Sequence, residues 1–312
     1  MALPVTMYRW DDVGAPQITT GSPTEYINVF VKCLVEGYGT KESVGWQVLE
    51  NQADSPFLAL KNNIQAGGSG GNFIILSPND SNYTRMTVTS ALEYNDKSNY
   101  SKVGRINTFS SYSSGENLMK NWIIFATPHG FYFFAAPPSL GVNNLNRSRA
   151  TAFFYCGDLI PSIPNDPTRF LLLSGSENAQ SSYDNVLQSR ILTGNYFCCN
   201  YYAIDGDTTP QGAYIQSIFG IDALEFGQDY ISAKPQITML HPLFIVGSSK
   251  SLRNDNSIPL IKGQAPGLYL SPQVGYGDES LPFYKFLDGE KYFSVPSTEK
   301  SGTGIWLNTE VW

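Results

Sequence analysis

Apolar residues recur at helical spacing once in this chain and fall into strand-like runs almost everywhere else. Ser22-Pro23-Thr24-Glu25 has the form of a capping box with proline at the first helical position. Ile27, Phe30, Val31, Leu34 and Val35 follow as one apolar stripe. Gly37 stands where a left-handed cap closes such a helix. The pattern predicts one helix of about 13 residues that carries Cys33 and packs on a sheet. Gly37 and Gly39 set the turn after it, and Trp46 is expected to open the next packing layer.

From there the pattern is strand and turn. Residues 56–61 and 72–76 flank Gln65-Ala-Gly-Gly-Ser-Gly-Gly71 and predict a hairpin with a flexible tip. Residues 85–94 predict a strand. The strongest hairpin joins 122–126 to 130–135 across Thr127-Pro128-His129-Gly130, with Trp122 as a packing anchor. Further strands are predicted at 152–155, 169–173, 194–204, 236–246 and 267–271, and a closing hairpin pairs 292–295 with 304–308. Segments 161–167 and 205–210 are turns, and 174–189 is polar and irregular or briefly helical. Polar, turn-rich residues 137–149 mark a candidate boundary between an N-terminal helix-plus-β lobe (1–136) and a C-terminal β-rich lobe (150–312). The alternative is a single domain. No heptad or solenoid period is present.

Composition supports a β fold. Charged residues are 15% of the 312-residue chain and aromatics 13%, with 28 Gly and 19 Pro. Low charge with abundant aromatic and turn-forming residues favours strands and also favours surfaces that associate. The expected class is therefore mainly β (β-rich α+β), with antiparallel sheets forming a sandwich or barrel and one capped N-terminal helix packed on a sheet. The net charge of −7 and singly scattered Lys and Arg leave no basic footprint for gripping nucleic acid. No apolar run approaches the ~20 residues of a membrane helix, so no membrane insertion is expected. The first residues lack the basic and apolar regions of a secretory signal, which implies synthesis in a cytosol. Four cysteines (33, 156, 198, 199) in apolar surroundings are then expected to be buried free thiols.

Chemistry is sparse. Two histidines, His129 and His241, come without any zinc or nucleophile motif, so no metal, cofactor or catalytic residue is assigned. The glycine-rich tip at 65–71 is followed by a strand and lacks the Gly-Lys-Ser/Thr ending of a phosphate loop. Asp11-Asp12, Asp205-Gly-Asp207 and Asp278-Glu279 are acid pairs. Neighbours on a strand point to opposite faces and do not converge on a sugar. Asp205 and Asp207 suit a glycine-centred turn, with calcium as the alternative. The triplet Asn82-Tyr83-Thr84 carries no glycan in a cytosolic chain. Tyr83, Tyr94, Tyr100 and Tyr112 are candidates for cross-strand packing, or for a carbohydrate groove.

Several motifs resemble one family. Tyr8-Arg9-Trp10-Asp11-Asp12-Val13-Gly14-Ala15-Pro16 is similar to the opening of a set of tailed-bacteriophage virion structural proteins. Val31-Lys32-Cys33-Leu34-Val35-Glu36-Gly37-Tyr38-Gly39, with Lys41 and Gly45-Trp46, resembles their ACLVNGYG…K…GW pattern. Residues 122–125 with 131–134 are similar to their central aromatic hairpin. Phe154-Tyr155-Cys156-Gly157-Asp158, followed by Pro164-Asn165-Asp166, is similar to their FFGD…PGD segment. Gly267-Leu268-Tyr269 and Asp288-Gly289 resemble their RGLY…DGD stretch, although the Arg is absent and Glu290 replaces the second Asp.

The resemblance implies a structural subunit of a phage virion, made in the host bacterial cytoplasm. Its place is expected in the tail, tail tip or baseplate, or neck, with other virion proteins and copies of itself as partners. Ser22, Glu25, Gly37, Gly39, Trp46 and Trp122 then matter structurally, and no cofactor is needed. The alternatives are a receptor module binding a host surface glycan, a glycan-degrading enzyme and a capsid decoration protein.

Overall fold

A computed structural model describes residues 2–81, 85–110, 118–137, 152–175, 187, 190–191, 197–204, 207–217, 234, 236–237, 239–247, 261–276, 279, 282–295 and 303–312. The boundary segment beyond Pro137, the triplet 82–84, Tyr112, Asp205, Asp278 and most of 174–189 lie outside these residues.

The first strands are β1 (Thr6–Arg9), β2 (Gln47–Gln52), β3 (Phe57–Lys61), β4 (Asn72–Leu76), β5 (Arg85–Asp96), β6 (Asn99–Val103) and β7 (Asn107–Ser110). Next come β8 (Asn121–Ala126), β9 (Gly130–Ala136), β10 (Ala152–Asp158), β11 (Ile160–Pro161), β12 (Phe170–Leu173) and β13 (Cys199–Tyr201). The last are β14 (Gln211–Ser217), β15 (His241–Gly247), β16 (Ile261–Gly275), β17 (Tyr284–Leu287), β18 (Glu290–Val295) and β19 (Thr303–Asn308). They form three antiparallel sheets. The central one runs β1-β8-β9-β10-β12. One outer sheet runs β2-β3-β4-β5-β6, with β7 also on β5; the other runs β13-β14-β15-β16-β19-β18-β17, with β11 on β16. Each sheet has two free ends among the described residues, so the sandwich describes the fold and the barrel does not.

The central sheet is buried on both faces. Trp122, Ile124, Phe131, Phe133, Phe154 and Leu172 share one core with helix residue Phe30 and with Leu58, Leu60, Phe73 and Ile75 of the first outer sheet. Their neighbours Ile123, Phe125, Tyr132, Phe134, Phe153 and Leu171 share a second core with Leu243, Ile245, Leu268, Ile305 and Leu307 of the other sheet. Because both faces are dry, β8, β9 and β10 are unbroken apolar runs instead of alternating ones. Phe134 and Phe153 stack at 4.2 Å across β9 and β10. Those two strands pair from Ala135↔Ala152 to Gly130↔Gly157, so residues 137–149 join neighbours in one sheet. Both halves, 1–136 and 150–312, thus contribute strands to the central layer.

The helix α1 (Pro23–Val31) starts at Ser22 with proline in its first turn, but the capping box is not formed. The Ser22 hydroxyl caps nothing; the Thr24 N–H donates instead to Asp80 Oδ1 at 2.8 Å. The chain before Ser22 curls back, and Glu25 accepts the N–H groups of Gly21 (2.7 Å), Thr20 (2.9 Å) and Thr19 (3.1 Å), plus the Thr19 hydroxyl. The other end also departs from expectation. Residues Lys32–Glu36 form a π turn, and the Gly37 N–H donates to the Lys32 carbonyl at 2.7 Å. Gly37 has φ 81 and ψ 170, outside the left-handed helical region, so it is not the cap expected. The Trp46 N–H takes the Leu34 carbonyl at 3.0 Å and satisfies one of the terminal acceptors.

Glu25 and Asp12 make stability pH-dependent. Burial pushes each carboxyl up, but hydrogen bonds outweigh it and hold both below the usual range. Those bonds come from the Thr19 hydroxyl and the Gly21, Thr20 and Thr19 N–H groups at Glu25, and from Lys41, Tyr38 and the Arg9 N–H at Asp12. Depressed carboxyls contribute stability above their unfolded values near ~4 and lose it as pH falls through the folded ones. Urea titrations from about pH 5 downward are expected to show falling stability, and a shallower fall in Glu25→Gln and Asp12→Asn.

Candidate functional site

The six residues singled out by sequence fall on the first core and its entry turns. Ser22 and Glu25 open α1. Gly39, at φ 57, passes so close to Val13 that a Cβ there would lie 2.3 Å from the Val13 carbonyl oxygen. Trp46 donates to the Thr127 carbonyl at 3.2 Å and meets the Phe131 ring edge-on at 5.4 Å. Trp122 donates to the Pro16 carbonyl at 3.2 Å and meets Tyr38 edge-on at 6.4 Å. Two of the motifs that carry the family resemblance are thereby in contact. Asp12 accepts from Tyr38 (2.7 Å) and Lys41 (2.6 Å), while Tyr8 donates to the Glu42 carbonyl at 2.6 Å. Asp11 turns away and pairs with Arg9, so this acid pair lies on a turn and not on a strand, and its members still diverge.

A second polar centre gathers at the end of the central sheet. Asp158, almost fully buried, accepts from Asn62 Nδ2 (3.2 Å), the Ser69 N–H (2.9 Å), the Ser69 hydroxyl and Arg169 Nε (3.1 Å). Arg169 also donates to the Gly67 carbonyl at 3.0 Å, and His129 Nε2 lies 2.8 Å from the Ala66 carbonyl oxygen. The glycine-rich tip is therefore pinned to the sheet. A Cβ on Gly71 would sit 2.0 Å from the Phe170 ring, so close packing accounts for glycine there. A cavity of about 300 Å³ opens beside this junction, with His129, Tyr155, Arg169 and Trp312 in its wall.

An open surface feature lies on the second outer sheet. Asp288-Gly289, with φ of 50 and 88, turns β17 into β18 with the positive angles of a type I′ hairpin. A groove of about 990 Å³ runs beside it. Tyr269, Tyr284 and Phe286 supply aromatic surface, and Asp288 and Glu290 supply carboxylates. Phe286 is 70% exposed and Met239, which also lines the groove, 53%. Glu290 Oε2 accepts from Tyr292 (2.9 Å) and Asn308 (2.6 Å), which fixes the carboxylate. Burial and the Glu290 carboxylate push the Tyr292 hydroxyl well above its ordinary value. Lys291 Nζ covers the Tyr284 ring at 4.2 Å. Sequence reasoning missed this place, although Asp-Gly is the hairpin signal that could have found it.

Tyr94 and Tyr100 stack on one another at 6.2 Å as cross-strand neighbours in β5 and β6. All four cysteines are free and buried. Among the described residues no three His, Cys, Asp or Glu side chains gather as a metal site, and no helix is long and apolar enough to cross a membrane.

No protein-family model matches this chain, and no curated protein is similar to it in sequence.

Proposed function

We propose that this chain is a structural subunit of a tailed-bacteriophage particle, placed in the tail, tail tip or baseplate, or neck. It acts through contacts with other virion proteins and with copies of itself. Besides the motif resemblance, one observation carries this reading: both outer sheets end, among the described residues, in a strand that offers apolar side chains to solvent. In β2 these are Val48 and Leu49, 40% and 38% exposed; in β17 it is Phe286. An edge strand with exposed apolar residues is a template for pairing with another chain. A body with such an edge in each outer layer can join two neighbours at once, as a repeated subunit must.

Mass spectrometry of purified particles, with heads and tails separated, tests the placement. The chain is expected in the tail fraction, and its absence from mature virions overturns the proposal. Phe286→Asp is expected to leave folding stability within about 0.5 kcal/mol, because the ring is mostly exposed. The same change should weaken association at least about tenfold, measured by sedimentation over a concentration series.

The groove beside β17 favours a second reading, a module that holds a host surface glycan. Aromatic faces beside carboxylates suit stacking and hydrogen bonding to a sugar. Glycan-array binding that Phe286→Asp abolishes supports that reading over pure assembly.

A further inference from the structure

Lys262 and Asp166 are both fully buried, with Nζ 2.5 Å from Oδ2. They come from different parts of the chain: Lys262 from β16, Asp166 from the turn that precedes β12. Thr168 organises the pair. Its N–H and its hydroxyl both donate to Asp166 Oδ1 at 2.8 Å, and its Oγ1 lies 2.6 Å from the amine. The amine also reaches the Tyr202 carbonyl at 3.2 Å and sits 5.5 Å from the centre of the buried Tyr201 ring. Asp166 Oδ2 itself makes no hydrogen bond of ordinary geometry, although the amine is in contact with it.

Keeping an ammonium and a carboxylate out of water is costly, and a buried pair recovers that cost only with good hydrogen bonds on both sides. Here one carboxylate oxygen lacks them. Burial pulls the Lys262 amine below its ordinary value against the opposing pull of Asp166, which brings its neutral, nucleophilic form closer. The Asp166 carboxyl that it faces is polarised at Oδ1 by the two Thr168 donors. Both are held in contact, so the encounter entropy of a bimolecular condensation is already removed.

We propose that Lys262 and Asp166 condense into an intramolecular isopeptide bond that ties β16 to the turn before β12. The Nζ–Cγ bond forms and the Cγ–Oδ2 bond breaks. Of the three protons on the ammonium, one stays on the amide nitrogen and two leave with Oδ2 as water. No oxidant, cofactor or second molecule is consumed. The link does for this disulfide-free set of cysteines what a disulfide does elsewhere: it closes a long loop and restricts the unfolded chain. The inference is independent of the proposed place in a virion.

Intact-mass spectrometry of the purified full chain, denatured and with thiols reduced, provides the test. The expected mass is the sequence mass, allowing for N-terminal processing, less one water. Protease digestion should release a branched peptide joining the stretch around 166 to the stretch around 262. Lys262→Arg and Asp166→Ala should run at full mass. Asp166→Asn should lose ammonia instead and reach the same mass as the linked native chain. A folded native chain that keeps its full mass after prolonged incubation overturns the proposal. So does loss of water without the branched peptide, the result that imide formation at Asp288-Gly289 gives. The native chain decides the matter alone if the variants do not fold.

Discussion

Phe30→Ala is expected to cost about 3–5 kcal/mol of unfolding free energy, the range for emptying a packed aromatic site. The Phe30 ring is wholly buried between layers: it meets Phe73 of the outer sheet at 5.2 Å and Phe133 and Phe131 of the central sheet at 4.9 and 5.7 Å. Those neighbours belong to sheets whose backbones are fixed by cross-strand hydrogen bonds, so the cavity has little freedom to collapse. That argues for the upper part of the range. Phe30→Met, which keeps most of the volume, should cost under ~1.5 kcal/mol. Denaturant titration of the three proteins measures both. A cost below ~1 kcal/mol for the alanine variant would mean that the helix does not fill the space between the two sheets.

The same packing explains what the sequence made visible. The β8–β9 hairpin stood out because both of its faces are dry and a Thr-Pro-His-Gly turn interrupts the run. The strands that escaped notice carry little of that signal. β2 has no buried residue, β14 turns only Ala213, Ile215 and Ser217 fully inward, and β6 is a polar edge. At α1 the local pattern was satisfied, but tertiary contact overrode it. Asp80, far along the chain, accepts the Thr24 N–H of the first turn, and the Glu25 N–H that a capping box assigns to the Ser22 hydroxyl goes to the Ser22 carbonyl. The groove beside β17 draws on residues near 239, 269 and 284–292, which only the pairing of β16, β19, β18 and β17 brings side by side. Likewise Phe154-Tyr155-Cys156-Gly157-Asp158 displayed its acid without its partners, because Ser69 and Asn62 lie 89 and 96 residues away.

That acid carries the second large effect. Asp158→Ala is expected to destabilise the fold by about 3 kcal/mol, the lower end for removing one member of a buried ion pair. The lower end applies because the Arg169 side chain keeps 18% of its exposure and can turn partly to water, whereas Asp158 has 2%. The remaining cost comes from donors left behind: the Ser69 N–H loses its acceptor, and Asn62 Nδ2 keeps only the His129 carbonyl, in a site with little solvent. Asp158→Asn preserves shape but places an amide N–H₂ among donors, so it should recover little of the loss. A double-mutant cycle with Arg169→Ala separates the two contributions. If the coupling between Asp158 and Arg169 accounts for only a minor share, the carboxylate matters chiefly as the acceptor that holds the glycine-rich tip. The variant should then also speed proteolysis or amide exchange across residues 62–71, ahead of any change in the central strands. Exchange that rises uniformly through the chain instead would place Asp158 in the global core and remove its role as the pin for that loop.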